Sequence, residues 1–284
     1  MRRRRSISLI KALCNYIYTW DKNLRQKHGQ NFLIDNNIST KIVKAADLDL
    51  MDNVLEIGPG KGILTKLIVS SVNFLTVIEI DKILFQQLDS YFSFNKITNI
   101  ELINQDFLKY DIPDIKRKFI SNLPYNVGTA IIQKILPLQN WTTAVFMLQK
   151  EVIERLAAKP GDKNYGYISI FASYYADVEV LFDVSPKCFN PPPKVTSSVI
   201  KFKNKKAEVP EPVLFEFVKH AFSMRRKTIL NCISSFCDIP KDKASSILEN
   251  CGLNALLRPD KLSILDLLRL TKEIKNYRIC RASF

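Results

Sequence analysis

The chain is 284 residues long, 46% hydrophobic and 25% charged, with a formal net charge of +14. That length suits one large domain and a smaller one, and the excess of basic residues predicts attraction to a polyanion, nucleic acid ahead of an anionic membrane. Six cysteines (Cys14, Cys188, Cys232, Cys237, Cys251 and Cys280) form no Cys-x-x-Cys pair and only His28 and His220 accompany them, which argues against a zinc site or a disulfide scaffold; no apolar run reaches a membrane span.

Residues 1–30 hold Arg2, Arg3, Arg4, Arg5, Lys11, Lys22, Arg25 and Lys27 against the single acid Asp21. Lys11 interrupts the apolar segment Ser8 to Trp20, so a signal peptide fits poorly; a basic extension over 1–23 is expected, with an organelle transit peptide as the alternative. Gln30-Asn-Phe-Leu33 reads as a lead-in to a helix patterned from Ile38 to Ala46. Val54 to Ile57 then reads as a strand entering three alternate glycines (Gly58, Gly60, Gly62), and an amphipathic helical pattern leaves toward Ile68. Strand, glycine loop and helix open a nucleotide-binding unit, in which backbone approaches a ligand where a Cβ would obstruct it. The Gly-x-Gly-x-Gly spacing differs from the dinucleotide fingerprint, and no Gly-Lys-Ser/Thr makes a P-loop.

Further strands are expected at Phe74–Ile80, Ile100–Ile103, Lys118–Ile120 and Ala144–Leu148, with helices at 82–92 and Val127–Leu136. The alternation predicts a doubly wound parallel sheet whose ligand lies beyond the carboxyl ends of the strands. After a basic loop, Lys159 to Gly166, two β-like runs (Val178–Val184 and Thr196–Phe202) flank the stiff Cys188-Phe-Asn-Pro-Pro-Pro193 loop and are expected to close the sheet as an antiparallel pair. Lys203 to Pro212 reads as a linker; residues 213–281 are helix-patterned, with Arg225-Arg-Lys227 inside one helix and a turn at Arg258-Pro-Asp260.

Polar residues close each parallel strand. Glu79 stands where an acid accepts ribose hydroxyls, as in both nicotinamide and adenosylmethionine sites. Asp106 can accept from an adenine amine, or simply form the Asn-Gln-Asp turn. Adenosylmethionine suits the glycine spacing better, having no pyrophosphate to seat on a helix. Asn122-Leu-Pro-Tyr125 is the sharpest signal. The Asn122 amide oxygen and Leu123 carbonyl, held by Pro124, offer two acceptors for the hydrogens of an exocyclic adenine amine, whose lone pair is otherwise delocalised into the ring. Tyr125 offers a π-face for an extruded base.

Gly29-Gln-Asn-Phe-Leu33, Glu56-Ile-Gly-Pro-Gly-Lys-Gly62, Val77-Ile-Glu-Ile-Asp81, Asn122-Leu-Pro-Tyr-Asn-Val-Gly128 and Phe189-Asn-Pro-Pro-Pro-Lys-Val195 closely resemble the motifs of ribosomal RNA adenine N6,N6-dimethyltransferases, over a stretch from about Leu24 to the last helix. Ala221 to Ile229 and Arg258 to Ser263 resemble the bacterial KsgA (RsmA) branch; the macrolide-resistance methylases usually read Asn-Ile-Pro-Tyr and differ beyond the catalytic half. The resemblance implies a Rossmann-like class I methyltransferase sheet at 24–203, parallel with an antiparallel closing strand, and a small all-α rRNA-recognition domain at 204–284. It implies S-adenosylmethionine as cofactor, held by Asn31, Leu33, Gly58, Glu79, Asp106 and Asn122, with Phe189 facing the target base opposite Tyr125. The implied substrate is a hairpin loop near the 3′ end of small-subunit (16S) rRNA in a pre-30S particle, where two adjacent adenines are each methylated twice. Lys159, Lys163, Arg225, Arg226 and Lys227 are expected to meet phosphates, with a solvated helix face as the alternative for Arg225 to Lys227. A cytoplasmic monomer without membrane contact is expected. The alternatives are a non-catalytic assembly or transcription factor descended from such enzymes, and a DNA adenine methyltransferase, whose motif usually reads Asp/Asn-Pro-Pro-Tyr/Phe where this chain has Leu123.

Overall fold

The computed structural model describes residues 31–207 and 212–282; the basic extension expected at 1–23 and positions 208–211 of the expected linker lie outside them. In chain order the elements are β1 (Phe32–Leu33), α1 (Asn36–Ala45), β2 (Asn53–Ile57), α2 (Thr65–Ile68), β3 (Phe74–Ile78), α3 (Lys82–Phe94), β4 (Ile100–Ile103), β5 (Arg117–Asn122), α4 (Gly128–Ile135) and β6 (Trp141–Gln149). They continue as α5 (Lys150–Leu156), α6 (Tyr167–Tyr175), β7 (Ala176–Val184), β8 (Phe189–Asn190), β9 (Ser197–Asn204), α7 (Pro212–Ser223), α8 (Ile229–Cys237), α9 (Lys241–Asn250) and α10 (Ile264–Ala282).

Seven strands form one sheet in the order β4-β3-β2-β5-β6-β9-β7. The first five are mutually parallel, and β9 inserts antiparallel between β6 and β7. The strands read as unbroken apolar runs because both faces of the sheet are covered. Leu55, Ile57, Phe119, Ala144 and Phe146 face the core shared with α4 and α6. Their alternates Val54, Leu75, Val77, Ile120 and Val145 face α1, α2 and α3. Asp81 starts α3 as an N-cap, its carboxylate accepting from the N–H groups of Ile83 and Leu84.

The antiparallel closure matches the sequence expectation, and several local readings are corrected. The helix after the glycine loop is a single α turn, Thr65–Ile68, continued by the 3-10 segment Val69–Ser71, because residues 60–64 are consumed in turning. The Asn31-Phe-Leu33 segment is no helix lead-in: Phe32 and Leu33 form β1, antiparallel to β8 with Leu33 opposite Phe189. Among the described residues each of these two-residue strands pairs only with the other, so neither announces itself locally. Helices α5 and α6 escaped the sequence reading, which saw only the loop between them. Arg225, Arg226 and Lys227 lie in the turn between α7 and α8 rather than inside a helix. The chain reverses there so that Ile229 and Ile233 can join Phe217 and Val218 in one core, with the Phe217 and Phe236 rings 5.2 Å apart.

The C-terminal helices share that core with Ile170 of α6 and with Tyr165, whose hydroxyl donates to the Leu262 carbonyl at 2.9 Å. Phe215 of α7 packs on Phe171 and Tyr175 of α6, with centroids 5.2 and 6.0 Å away, which joins the helical part to the sheet. Among the described residues no helix is long and apolar enough to cross a membrane.

Candidate active site

The carboxyl ends of β2, β3, β4 and β5 open on a cavity of about 620 Å³. Residues in register on neighbouring strands project to the same face. Glu56 on β2 is therefore a neighbour of Val77 and Ile120. Glu79 and Asn122, each two positions further along β3 or β5, project the same way. Acids and an amide thus emerge on one side of the sheet, and Phe32 and Leu33 of β1 line the same cavity.

The glycine loop shapes one wall. Gly58, Gly60 and Gly62 all have positive φ (61°, 59° and 77°), which non-glycine residues rarely adopt. Space matters too: a Cβ on Gly60 would lie 3.0 Å from the Phe32 ring, so the glycine lets β1 close over the loop. Lys61 sits 4.9 Å above the centroid of that ring.

Glu79 follows β3 and is 3% exposed. Its carboxylate accepts from Gly60 N–H at 3.2 Å and Asp81 N–H at 2.9 Å. Burial pushes it up to about 7, while those bonds pull it back. The Asn104 side chain donates to the Glu79 carbonyl at 2.8 Å and so fixes the bend after β3. Asp106 caps a 3-10 turn, accepting from Leu108 N–H at 2.9 Å, so the turn-forming role open to it in the sequence is present. Lys134 on α4 pins this loop, donating to the carbonyls of Phe107 (2.9 Å), Leu108 (2.9 Å) and Tyr110 (2.6 Å).

The Asn122-Leu-Pro-Tyr125 turn forms the opposite rim. Leu123 is buried and its N–H donates to the Met147 carbonyl at 3.1 Å; Gly128 N–H donates to the Pro124 carbonyl at 2.9 Å. Ser121 bonds the Ile57 carbonyl, tying the end of β5 to the start of the glycine loop. Gly128 lets α4 sit close to β6, since a Cβ there would lie 2.2 Å from Cδ2 of Leu148.

Asn31, Leu33, Gly58, Glu79 and Asp106 all line the cavity, as do Asn122, Leu123, Pro124 and Tyr125. Phe189 is not among the lining residues; it is 3% exposed, in the core beside Leu33, the residue opposite it on β1. Lys159, Lys163, Arg225, Arg226 and Lys227 are exposed and lie outside the lining. Two of these segments meet, because the Arg225 guanidinium donates to the Lys163 carbonyl at 2.7 Å.

Sequence reasoning missed Glu56. It lines the cavity at 1% exposure, and its Oε2 has no hydrogen-bond partner among the described residues. Burial pushes its carboxyl up to about 8, and the neighbouring Glu79 adds to the rise. An acid inside the apolar run Val54-Leu-Glu-Ile57 was the available signal. Asn104 and Lys134 gave none, since their partners are backbone atoms of another segment.

The family model for ribosomal RNA adenine dimethylase matches residues 21–276. The ribosomal RNA small subunit methyltransferase A of Malacoplasma penetrans is 39% identical over 84% of this chain and 87% of its own length. The protein of the same name from Alkaliphilus metalliredigens is 39% identical over 95% of this chain and 97% of its own. Among solved structures, a dimethyladenosine transferase from Plasmodium falciparum superposes with a TM-score of 0.77 at 26% identity, covering 86% of this chain and 98% of that one. The 23S rRNA methyltransferase ErmE superposes with a TM-score of 0.69 at 25% identity, covering 86% and 100%. With the glycine loop, the strand-end acids and the Asn-Leu-Pro-Tyr turn gathered around one cavity, the chain belongs to the ribosomal RNA adenine dimethylase family.

Proposed function

We propose that this chain uses S-adenosylmethionine to dimethylate N6 of two adjacent adenines in the 3′-terminal hairpin loop of small-subunit (16S) rRNA, within a pre-30S particle and as part of small-subunit assembly. The observation that carries the reading is that the Asn122–Tyr125 turn rims the same cavity that Glu79 and Asp106 line. Acceptors suited to an amine and acceptors suited to an adenosine thus share one space. Family membership and the relatives named for small-subunit rRNA support the choice of substrate.

The residues present fit the cofactor. Two buried carboxyls face the cavity, one with an orphaned oxygen, and both are held above the usual carboxylate range by burial. A ligand carrying cationic groups and a ribose diol would complete them. S-Adenosylmethionine, when bound, supplies a methyl group activated by a sulfonium. Glu79 would accept the ribose hydroxyls and Asp106 the adenine amine, with Asn31, Leu33 and Gly58 along the remainder of the ligand. The Asn122 amide oxygen and the Leu123 carbonyl accept the two N–H bonds of the target amine, which localises its lone pair for attack. Tyr125 supports the base through its ring face.

We assign the exposed Lys159, Lys163, Arg225, Arg226 and Lys227 to phosphate contacts, and residues 204–284 to rRNA recognition. The chain is read as a cytoplasmic monomer. The test is Asn122→Ala. With radiolabelled cofactor and under-methylated small subunits, methyl transfer should fall by about 10²–10³-fold, the size seen when one oriented polar group at a reacting centre is removed, while cofactor affinity, shared among six residues, stays largely intact. Mass spectrometry of the rRNA, beside a DNA control, identifies the product; full activity in the variant would overturn the assignment.

A further inference from the structure

The Tyr125 side chain lines the cavity with its ring half-buried, and its hydroxyl lies 2.7 Å from the Ser197 hydroxyl. The two residues are 72 positions apart, and their anchorage is unequal. Ser197 is fully buried at the start of β9, in register with Gln149 on β6 and with Val184 on β7. The carbonyl just before it, that of Thr196, accepts from Lys150 N–H at 3.0 Å. The Ser197 hydroxyl is thus carried by backbone fixed on both sides. Tyr125 instead sits on a turn whose neighbours Pro124 and Asn126 are exposed.

Resting on the reading of this chain as an adenine methyltransferase, we infer that Ser197 is a positioning residue whose hydroxyl pins the far end of the Tyr125 ring and so holds it as the platform for the extruded base. Stacking on a π-face needs only an aromatic ring, which phenylalanine would supply equally. The hydroxyl of Tyr125 therefore has a purpose apart from stacking. A half-buried ring with an untethered end has more than one staggered orientation open to it. A base that must present its amine to Asn122 and Leu123 is productive against only one of them. The bond to Ser197 selects that orientation before the base arrives.

The bland alternative is that the bond merely satisfies two desolvated hydroxyls, and a double-mutant cycle in the full chain separates the two. The variants are Ser197→Ala, Tyr125→Phe, their combination, and Ser197→Thr, which restores a hydroxyl. Three measurements are made on each: adenosylhomocysteine affinity by calorimetry, kcat and KM on under-methylated small subunits, and fluorescence of 2-aminopurine at the target adenine of the hairpin RNA. We expect adenosylhomocysteine affinity unchanged within about twofold, and kcat lowered by roughly three- to tenfold in either single variant, the scale of one neutral hydrogen bond. The double variant should be no worse than either single one, and Ser197→Thr should recover most of the loss. Quenching of the 2-aminopurine should weaken in parallel with kcat. Wild-type kcat and quenching in Ser197→Ala, or losses that multiply in the double variant, would overturn the inference. Should Ser197→Ala melt below the assay temperature, Tyr125→Phe decides alone, and unchanged kcat and quenching there overturn it. If the unaltered chain methylates no rRNA adenine, the functional reading falls while the fluorescence still tests the bond.

Discussion

Glu79 should make cofactor binding pH-dependent. Its carboxyl is raised from an ordinary 4.5 to about 7, first by burial, with the Asp81 and Gly60 N–H bonds opposing. A ribose diol donates hydrogen bonds and so prefers the ionised carboxylate. Taking a pKa of about 7, roughly 0.1 of the groups are ionised at pH 6 and roughly 0.9 at pH 8, which makes adenosylhomocysteine bind about tenfold more weakly at pH 6. At pH 7 binding should release about half a proton per site, read from calorimetry in buffers of different ionisation enthalpy. The same shift acts on folding in the other direction. A raised carboxyl contributes stability that is present below 4.5 and lost as pH rises through about 7, a span of about 3 kcal/mol at ~1.36 kcal/mol per pH unit. Glu79→Gln should flatten the binding profile between pH 6 and 8 and weaken affinity by about 10- to 100-fold, since charge-assisted bonds to the diol are removed. A flat profile in the unaltered chain, or the same slope in Glu79→Gln, would refute the reasoning and direct attention to Glu56.

Gly128→Ala should lower stability by about 1–3 kcal/mol in denaturant unfolding, because the new methyl would meet Leu148 at 2.2 Å where helix and strand already touch. Lys134→Met removes three donors from the loop after β4; amide exchange at Leu108 should accelerate and cofactor affinity should fall, whereas unchanged exchange would show that the loop holds without them. Replacing Arg226 and Lys227 by alanine should weaken rRNA binding and make its dependence on salt shallower, by about 0.7–0.9 in the log–log slope for each phosphate no longer neutralised. Filter binding across a salt series measures that slope, and an unchanged one would remove these residues from the RNA surface.

The parts of the site legible in the sequence are those written locally. A strand, the glycines after it and the polar residue closing it are neighbours in the chain, so Glu79, Asp106 and Asn122 to Tyr125 could be found without knowing how the strands pack. Parallel topology then brings their ends to one edge of the sheet. The conformation of the glycine loop was likewise legible, because three positive φ angles at alternate positions leave few other residues able to serve.

Tertiary structure alone decided what depends on distant segments meeting. β1 exists because β8 pairs with it, and that pairing sets Phe189 opposite Leu33 in the core. Arg225 to Lys227 became a turn because α7 and α8 bury their apolar faces together. Lys134 and Asn104 hold the cavity through backbone carbonyls, which carry no signature in side-chain sequence. The burial of Glu56 is a property of the fold, and Ser197 stands out only through the ring that reaches it. Sequence by itself determined the chemistry offered at each strand end, because that is set by adjacent residues; the fold decided which groups are buried, paired and held still, because those properties belong to segments far apart in the chain.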